Sequence, residues 1–147
     1  FSMVQPLDNG IQAKKAIQIA IQNANISYNE IDYINPHGSS TKLNDKIETK
    51  VIKEIFGEYA YRIPISATKS IIGHCLGAAG SIEAIVSVLT IKHQFIHPTI
   101  NYEFPDPDCD LDYVPNVGRK SIVTTVLSNS YGFGGKNSSI IFRKFIK

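Results

Sequence analysis

Two histidines stand in matched settings, each in a glycine-containing turn that follows a short apolar, β-branched run. His37 lies in the segment 34–41, and His74 ends the segment 68–74 with further glycines directly behind it. Both segments precede a stretch of helical periodicity, which places each imidazole at the carboxyl end of a strand, where open α/β sheets gather their ligands. Two neutral imidazoles in neighbouring positions can donate two hydrogen bonds to one developing oxyanion. The spacing therefore predicts an oxyanion-stabilising site, with Lys69 beside it.

The elements that must position these residues follow from hydrophobic periodicity. Helical spacing predicts helices over 11–25, 44–56 and 75–93, the third of them largely buried, with a loop over 69–74. Apolar, β-branched runs predict strands at 31–36, 62–67, 121–129 and 138–144, the last two joined as a hairpin by the glycine turn 131–137. The proline- and aspartate-rich segment 95–117 is expected to be an irregular surface excursion. This order predicts an α/β domain with a mixed sheet covered by helices.

Composition indicates one ordinary globular domain. The chain has 147 residues, 43% hydrophobic and 19% charged, with a net charge of +2, so it lacks the basic footprint of a nucleic-acid binder. No apolar run approaches the roughly 18 residues that a spanning helix needs, so no membrane association is expected. Cys75 and Cys109 lack metal-ligand spacing and are interpreted as reduced thiols of a cytosolic-type protein. The first residues lack the basic and apolar regions of a signal peptide. The sequence begins with Phe1 in place of a methionine, which suggests a fragment.

Charge near the histidine segments leads to two further expectations. Lys69 lies between a strand and a buried helix, where a lysine usually pairs with a carboxylate, and Glu48 and Asp45 are the candidates. His74 directly precedes a predicted helix, whose dipole would disfavour the protonated form of the imidazole. His74 is therefore expected to be neutral, as an oxyanion donor must be.

Polar and aromatic residues near the histidines suggest substrate contacts. Behind His37, Ser39 and Thr41 supply hydroxyl groups. In the glycine turn, Tyr131 and Phe133 are either core aromatics or, since glycines flank Phe133 on both sides, part of a gate that can swing. All four are candidate substrate-binding residues.

Other chemistries fit the sequence less well. His93 and His97 have a metal-chelating spacing, but a proline follows at once and breaks the helix that would align them. The alternating aspartates of 106–112 resemble a calcium loop that lacks its glycine and its final glutamate. Cys75 stands at a predicted helix start, which favours a reactive thiolate, but adjacent residues point apart, so direct pairing with its histidine neighbour is disfavoured. No metal site is therefore expected.

Stretches that together span nearly the whole chain resemble the C-terminal half of the elongating β-ketoacyl-acyl carrier protein synthases of the type II kind, in the thiolase superfamily. They are 32–35, 69–74, 98–101, 110–116 and 128–135. In that family, the histidines of an Asn-x-His-Gly segment and of a Lys-x-x-x-Gly-His segment form a Cys-His-His set. The positions that match the family's catalytic, supporting and gating residues are His37, His74, Lys69, the carboxylates Glu48 and Asp45, and Phe133.

The resemblance implies a thiolase-like half-domain over residues 1–147, with a mixed sheet of the five-stranded type whose opening strand is expected upstream of Phe1. It also implies fatty acid elongation by decarboxylating Claisen condensation, in which His37 and His74 stabilise the enolate formed when a malonyl thioester loses carbon dioxide. The implied partners are acyl carrier protein, with phosphopantetheine-linked acyl and malonyl groups, and a second copy in a homodimer. No cofactor or metal is implied.

The nucleophile is the member of the set that this chain is expected to lack. In the family the cysteine lies in the N-terminal half, at a buried helix N-terminus, and neither Cys75 nor Cys109 has that setting. The chain is therefore expected to hold half an active site and to be inactive alone. The departures from the family pattern are Pro36 for Ala, Ser39 for Thr, and Lys136 for Thr beside the gate.

Two other functions stay open on the sequence. The chain-length-factor and ketosynthase subunits of polyketide synthases resemble the same half. Chain-length-factor subunits lose the active cysteine, but in this family that cysteine belongs to the N-terminal half, so the matching stretches do not separate the two kinds of subunit. A thiolase would carry a Cys-x-Gly acid/base near its end, where this chain has the turn 132–135. Thiolases also do not need two donor histidines. Retention of His37, His74 and Lys69 therefore favours the decarboxylating enzyme.

Overall fold

The computed structural model describes residues 9–145, which form four α-helices and five strands. In chain order these are α1 (Ile11–Ala24), β1 (Tyr33–Asn35), α2 (Asn44–Phe56), α3 (Lys69–Ile72), α4 (Ala79–His93), β2 (Phe95–Ile96), β3 (Arg119–Lys120), β4 (Thr125–Gly132) and β5 (Lys136–Arg143). The predicted α/β class is confirmed. The opening strand expected upstream of Phe1 lies outside the described residues. Within residues 9–145, no helix has both the length and the apolar character needed to cross a membrane.

The sheet is mixed, as predicted. β4 lies between β1, which runs parallel to it, and β5, which runs antiparallel. On the outer side of β1, the segment 62–67 joins through a single parallel bridge between Ile34 and Ile65. That segment is predicted as a full strand, but Pro64 has no N–H to extend the pairing, and the N–H of Ile65 donates to the carbonyl of Asp112 at 2.8 Å. The described residues thus supply three strands of the sheet and one bridged position.

Two buried clusters pack on opposite faces of this sheet. On one face, α1 and α2 bring residues such as Ile17 and Val51 against Leu127 of β4. The other face buries Tyr33 of β1 with Val126 of β4. Because neighbouring strand residues point to opposite faces, Val126 and Leu127 fall in different clusters. The two clusters fix β1 from both sides, and its carboxyl end carries the first histidine of the site.

The long segment between β2 and β3 is irregular, as predicted, but it is held in place. β2 pairs antiparallel with β3 at its base, and a bridge joins Thr99 to Pro115. Farther out, the ammonium of Lys46 on α2 lies 2.7 Å from a carboxylate oxygen of Asp108. The segment is thereby tied to α2 and forms one wall of a cleft that His74 also lines.

The helix α4 has an inverted pattern of burial. Its side toward the sheet carries the buried polar residues Glu83, Ser87 and Thr90. Residues three and four positions apart share a helix face. The outer face of α4 carries such a set of apolar side chains, which are 44–60% exposed: Ile85, Val88 and Leu89. The prediction of a largely buried helix is wrong for this face, because polar side chains occupy the sheet side.

The exposed apolar face of α4 is expected to make the 147-residue chain self-associate. The double variant Val88→Ser/Leu89→Lys should weaken that association by about tenfold or more, since burying one Val or Leu contributes about 1.5–3 kcal/mol. Sedimentation velocity across a concentration series measures the effect. Ile19→Lys on α1, where the side chain is 45% exposed, is the matched control and should change little. A chain that sediments as a stable monomer at all concentrations would contradict this expectation.

Candidate active site

His37 sits in a tight turn directly after β1 and is only 8% exposed. The next residue, Gly38, has a φ of +46°, and a Cβ added there would lie 2.4 Å from the Cβ of Ala67. Only glycine accepts both this left-handed backbone and this close approach. The glycine after the histidine therefore allows the turn that holds the imidazole at the edge of the sheet.

A backbone hydrogen bond sets the tautomer of His37. The N–H of Tyr131 on β4 donates to Nδ1 at 3.1 Å, so Nε2 carries the ring proton. Burial, followed by the charge of Lys69 and the proximity of His74, lowers the pKa of His37 to about 3. His37 is therefore neutral at pH 7, with an Nε2–H group available as a donor.

His74 lies against His37, with ring centroids 5.4 Å apart and planes at 77°. The N–H of Leu76 donates to His74 Nδ1 at 3.1 Å, so Nε2 carries the proton here as well. The helix predicted to begin near Cys75 starts with a 3₁₀ turn, and α4 begins only at Ala79. The predicted start of this helix near Cys75 is therefore wrong, and the hydrogen bond from Leu76 is the contact that orients the His74 ring.

The two neighbouring imidazoles thus offer the same kind of group. Both Nδ1 atoms are occupied by backbone N–H donors, which leaves both Nε2–H groups to donate outward. A pair of fixed donors of this kind suits an oxyanion that forms during a reaction. The structure brings together the histidines that the sequence pairs, and their catalytic role stays a prediction.

Lys69 forms a buried ion pair with Glu83 of α4, and the two side chains are 5% and 2% exposed. Ser130 donates to the other oxygen of Glu83, Oε2, at 2.8 Å. The prediction that Glu48 or Asp45 pairs with Lys69 is wrong, because the expected loop contains the helical turn α3, which directs the lysine toward α4. A signal for Glu83 existed in the sequence: it is the single acidic residue of a largely apolar helix, and a buried carboxylate needs a partner.

Glu48 and Asp45 hold the turn after β1 instead. Glu48 accepts hydrogen bonds from the backbone N–H groups of His37 and Gly38 at 2.9 and 3.0 Å. The side-chain amide of Asn129 donates to the same carboxylate at 3.3 Å. Asp45 accepts from a backbone N–H farther along the turn at 3.2 Å, and burial raises the pKa of both carboxyl groups. Both are positioning residues for His37, and Asn129 is a contributor that the sequence did not indicate.

A cleft of about 880 Å³ opens beside these groups. This lies within the range of about 300–1,000 Å³ that is typical of small-molecule sites. Lys69 and His74 line it together with Ser39 and Thr41, whose hydroxyl oxygens are 3.1 Å apart. The segment between β2 and β3 forms the opposite wall. The two predicted hydroxyl residues are thus placed to contact a ligand of the histidine site.

The two aromatic candidates occupy different settings. Phe133 is 71% exposed at the hairpin turn, where Gly134 has a φ of +74°, an arrangement that suits the predicted gate. The ring of Tyr131 packs on His37, with centroids 5.3 Å apart. Its hydroxyl is buried near Glu48 and has no hydrogen-bond partner among the described residues. The contribution of Tyr131 is therefore its backbone N–H, and a substrate contact through its hydroxyl is not supported.

Neither cysteine is placed to react with the help of an imidazole. The sulfur of Cys75 lies 4.0 Å from each of two backbone carbonyl oxygens of the preceding turn. Cys109 lines the far wall of the cleft, and burial raises the pKa of its thiol, which disfavours the thiolate. Across residues 9–145, the structure offers oxyanion donors without an activated thiol beside them.

Residues 1–103 match the family model described as β-ketoacyl synthase, C-terminal domain. The chain belongs to this family. This β-ketoacyl synthase chain is 46% identical over 145 residues to 3-oxoacyl-[acyl-carrier-protein] synthase 2 of Synechocystis sp. The alignment covers 99% of this chain and 35% of the relative. It is also 48% identical over 132 residues to the putative polyketide beta-ketoacyl synthase 1 of Streptomyces halstedii, covering 90% of the chain and 31% of the relative.

Solved ketosynthases share the fold. One is a type II polyketide ketosynthase in complex with its acyl-carrier protein and bound to the hexaketide, at 44% identity and a TM-score of 0.96, over 99% of this chain and 36% of that chain. Another is the ishigamide ketosynthase/chain length factor, at 38% identity and a TM-score of 0.92, over 99% of this chain and 35% of that chain. The predicted thiolase-like fold and the resemblance to β-ketoacyl synthases are confirmed. The chain spans about a third of the length of these relatives.

Proposed function

We propose that this β-ketoacyl synthase chain is part of a longer 3-oxoacyl-acyl carrier protein synthase that extends fatty acids by decarboxylating Claisen condensation. The observation that carries the proposal is the histidine pair, in which backbone N–H groups occupy both Nδ1 atoms and leave an Nε2–H donor on each of two neighbouring rings. A decarboxylation that places charge on a thioester oxygen is the reaction that such a pair accelerates.

In the proposed reaction, the growing acyl group is held as a thioester of a cysteine outside the described residues. The malonyl thioester enters on the phosphopantetheine arm of acyl carrier protein and loses carbon dioxide. The electron pair of the broken carbon–carbon bond forms an enolate, whose oxygen accepts hydrogen bonds from His37 and His74. The enolate carbon then attacks the acyl thioester carbon, and the cysteine sulfur leaves as thiolate. This chemistry needs no metal or organic cofactor.

Lys69 acts in this proposal by keeping a donor histidine neutral. Its ammonium group is one of the charges that lower the pKa of His37, so the imidazole keeps a single ring proton for donation. The buried ion pair with Glu83 holds the ammonium in place at the wall of the cleft. Ser39, Thr41 and the gate residue Phe133 are proposed to contact the malonyl-pantetheine arm.

The partners follow from the same proposal. Acyl carrier protein delivers both thioesters, which the complex of a related ketosynthase with its acyl-carrier protein supports. The complete protein is proposed to act as a homodimer in the cytoplasm of a bacterium or in an organelle stroma. The exposed apolar face of α4 supports a longer protein, since more of the polypeptide would cover that face.

A second candidate is a polyketide synthase subunit, either a ketosynthase or a non-catalytic chain-length-factor subunit. It is favoured by the similarity to the Streptomyces polyketide synthase and to the ishigamide ketosynthase/chain length factor. Retention of both histidines and Lys69 supports the catalytic alternative over the non-catalytic one.

The 147-residue chain alone is expected to form no carbon–carbon bond, because it supplies oxyanion donors without an activated nucleophile. The complete protein should form a 3-oxoacyl product from acyl- and malonyl-carrier protein under the same conditions, as followed by mass spectrometry. Cys75→Ser and Cys109→Ser in the complete protein are the controls and should retain turnover. Turnover by the chain alone would contradict the half-site proposal, and an inactive complete protein would favour the chain-length-factor alternative.

A further inference from the structure

His97, directly after β2, is a half-buried histidine that the proposed reaction does not use. Its Nε2 atom lies 3.1 Å from the hydroxyl oxygen of Tyr33, a fully buried residue of β1. Its Nδ1 atom lies 3.1 Å from the carbonyl oxygen of Pro98. The ring therefore joins the segment after β2 to the strand that carries the first catalytic histidine.

Counting protons shows that this network has two arrangements. The Pro98 carbonyl can only accept, so Nδ1 of His97 carries a proton. In the neutral ring, Nε2 accepts a hydrogen bond from the Tyr33 hydroxyl or from Thr68, whose oxygen is 3.5 Å away. In the protonated ring, Nε2–H donates to the Tyr33 oxygen, and the Tyr33 hydroxyl donates to the carbonyl of Ser66 at 2.8 Å. The Tyr33 hydroxyl has one proton, so when it donates to Nε2 of the neutral ring it no longer donates to the Ser66 carbonyl, whereas the protonated ring allows both contacts at once.

The same network reaches the segment that presents Lys69. Ser66 and Thr68 both contact His97, and Thr68 is the residue immediately before α3, which begins with Lys69. The Thr68 hydroxyl also accepts a hydrogen bond from the side-chain amide of Asn35 at 2.9 Å. The segment 66–68 is thus held between β1 on one side and His97 on the other.

We propose that His97 is a positioning residue, which acts through Tyr33, Ser66 and Thr68 to fix the segment that delivers Lys69 to Glu83. The proposal rests on the proposed function for its catalytic consequence, but the bracing itself does not depend on it. Since protonation of His97 changes how many of these hydrogen bonds can form at once, the brace is expected to respond to pH.

Burial lowers the pKa of His97, opposed by its hydrogen bond to the Pro98 carbonyl. The neutral arrangement therefore prevails at pH 7, and the protonated one appears only on acidification below the ordinary value of about 6.5. The charged and titratable groups on the elements around the ring are Tyr33 on β1, Lys69 on α3, Glu83, Lys92 and His93 on α4, and, at β3, Lys120 and the ion pair of Arg119 with Asp112.

The test uses the complete protein with His97→Leu, His97→Gln and the control His93→Gln, which changes an exposed histidine at the end of α4. Glutamine places an amide near the position of Nε2 and can donate to Tyr33 or accept from Thr68, whereas leucine can do neither. Amide hydrogen exchange of the segment 66–72, measured by mass spectrometry, should be about tenfold faster in His97→Leu and near wild type in the other two variants. Equal exchange in all variants would overturn the proposal, whatever their activity.

Carbon dioxide release from malonyl-carrier protein gives the catalytic readout. His97→Leu is expected to lower kcat about fivefold with little change in KM, as for the loss of one positioning hydrogen bond, and His97→Gln should restore most of it. Wild type and His93→Gln should share a step in log kcat that His97→Gln lacks, distinct from the acid limb set by protonation of His37, whose pKa is about 3. If Gln and Leu are equally slow, or the step persists in His97→Gln, the positioning role is wrong. If wild type releases no carbon dioxide while the exchange pattern holds, the proposed function fails and the brace stands.

Discussion

Replacing His37 or His74 with alanine in the complete protein is expected to slow decarboxylation of malonyl-carrier protein by about 10²-fold or more. Each variant removes one of two Nε2–H donors whose direction is set by a backbone hydrogen bond to Nδ1. Transfer of the acyl group to the proposed nucleophilic cysteine should survive substantially, because that thiol depends mainly on its own helix terminus. Each variant should therefore be slow in decarboxylation while it keeps most of its acyl transfer.

The measurement is paired: radiolabelled acyl transfer to the enzyme, and carbon dioxide release from malonyl-carrier protein. His93→Ala is a matched control, since that histidine is exposed and lies outside the site, and it should leave both steps unchanged. Loss of acyl transfer in His74→Ala with decarboxylation intact would contradict the donor role. His74 would then act as a base for the thiol, as in thiolase-like chemistry.

The meeting of the two histidines could be predicted from the sequence because it depends on strand ends. His37 follows β1, and His74 follows the segment that bridges to β1 through Ile65. Adjacent parallel segments end at the same edge of a sheet, so residues placed just beyond them come together whatever the details of the turns. The orientation of the His74 ring depends on the N–H of Leu76, a contact that periodicity cannot show.

The partner of Lys69 could not be predicted in the same way. The choice between Glu48 and Glu83 depends on the single helical turn of α3, which is too short to leave a periodic signal. The apolar pattern of α4 was misleading for a related reason. The apolar residues of a helix are normally assumed to face the core, so the sequence of α4 predicts a buried helix. In the structure its buried side holds Glu83, Ser87 and Thr90 instead. Asn129 and His97 were missed because their roles depend on contacts between segments far apart in the chain.

Glu83→Ala in the complete protein is expected to lower the free energy of unfolding by about 3–5 kcal/mol, because it leaves the Lys69 ammonium buried without its counter-charge. The two side chains are 5% and 2% exposed, so neither charge is solvated as it would be at the surface. Urea unfolding followed by circular dichroism measures the change. Glu54→Ala is the control: its pair with Lys14, with N and O 2.8 Å apart, is 31% and 37% exposed and should contribute less than about 1 kcal/mol. Equal losses in the two variants would contradict the buried pair.

The double variant Lys69→Met/Glu83→Leu separates stability from function. Replacing both charges by apolar side chains of similar size should restore most of the stability that Glu83→Ala loses, because no buried charge remains uncompensated. Decarboxylation should nevertheless stay impaired toward acid pH. Without the nearby ammonium, one cause of the lowered pKa of His37 is gone, so the imidazole takes up a second proton at higher pH than in wild type. The acid limb of the rate profile is therefore expected to move upward in pH, and an unmoved limb in a stable double variant would show that Lys69 does not act on His37.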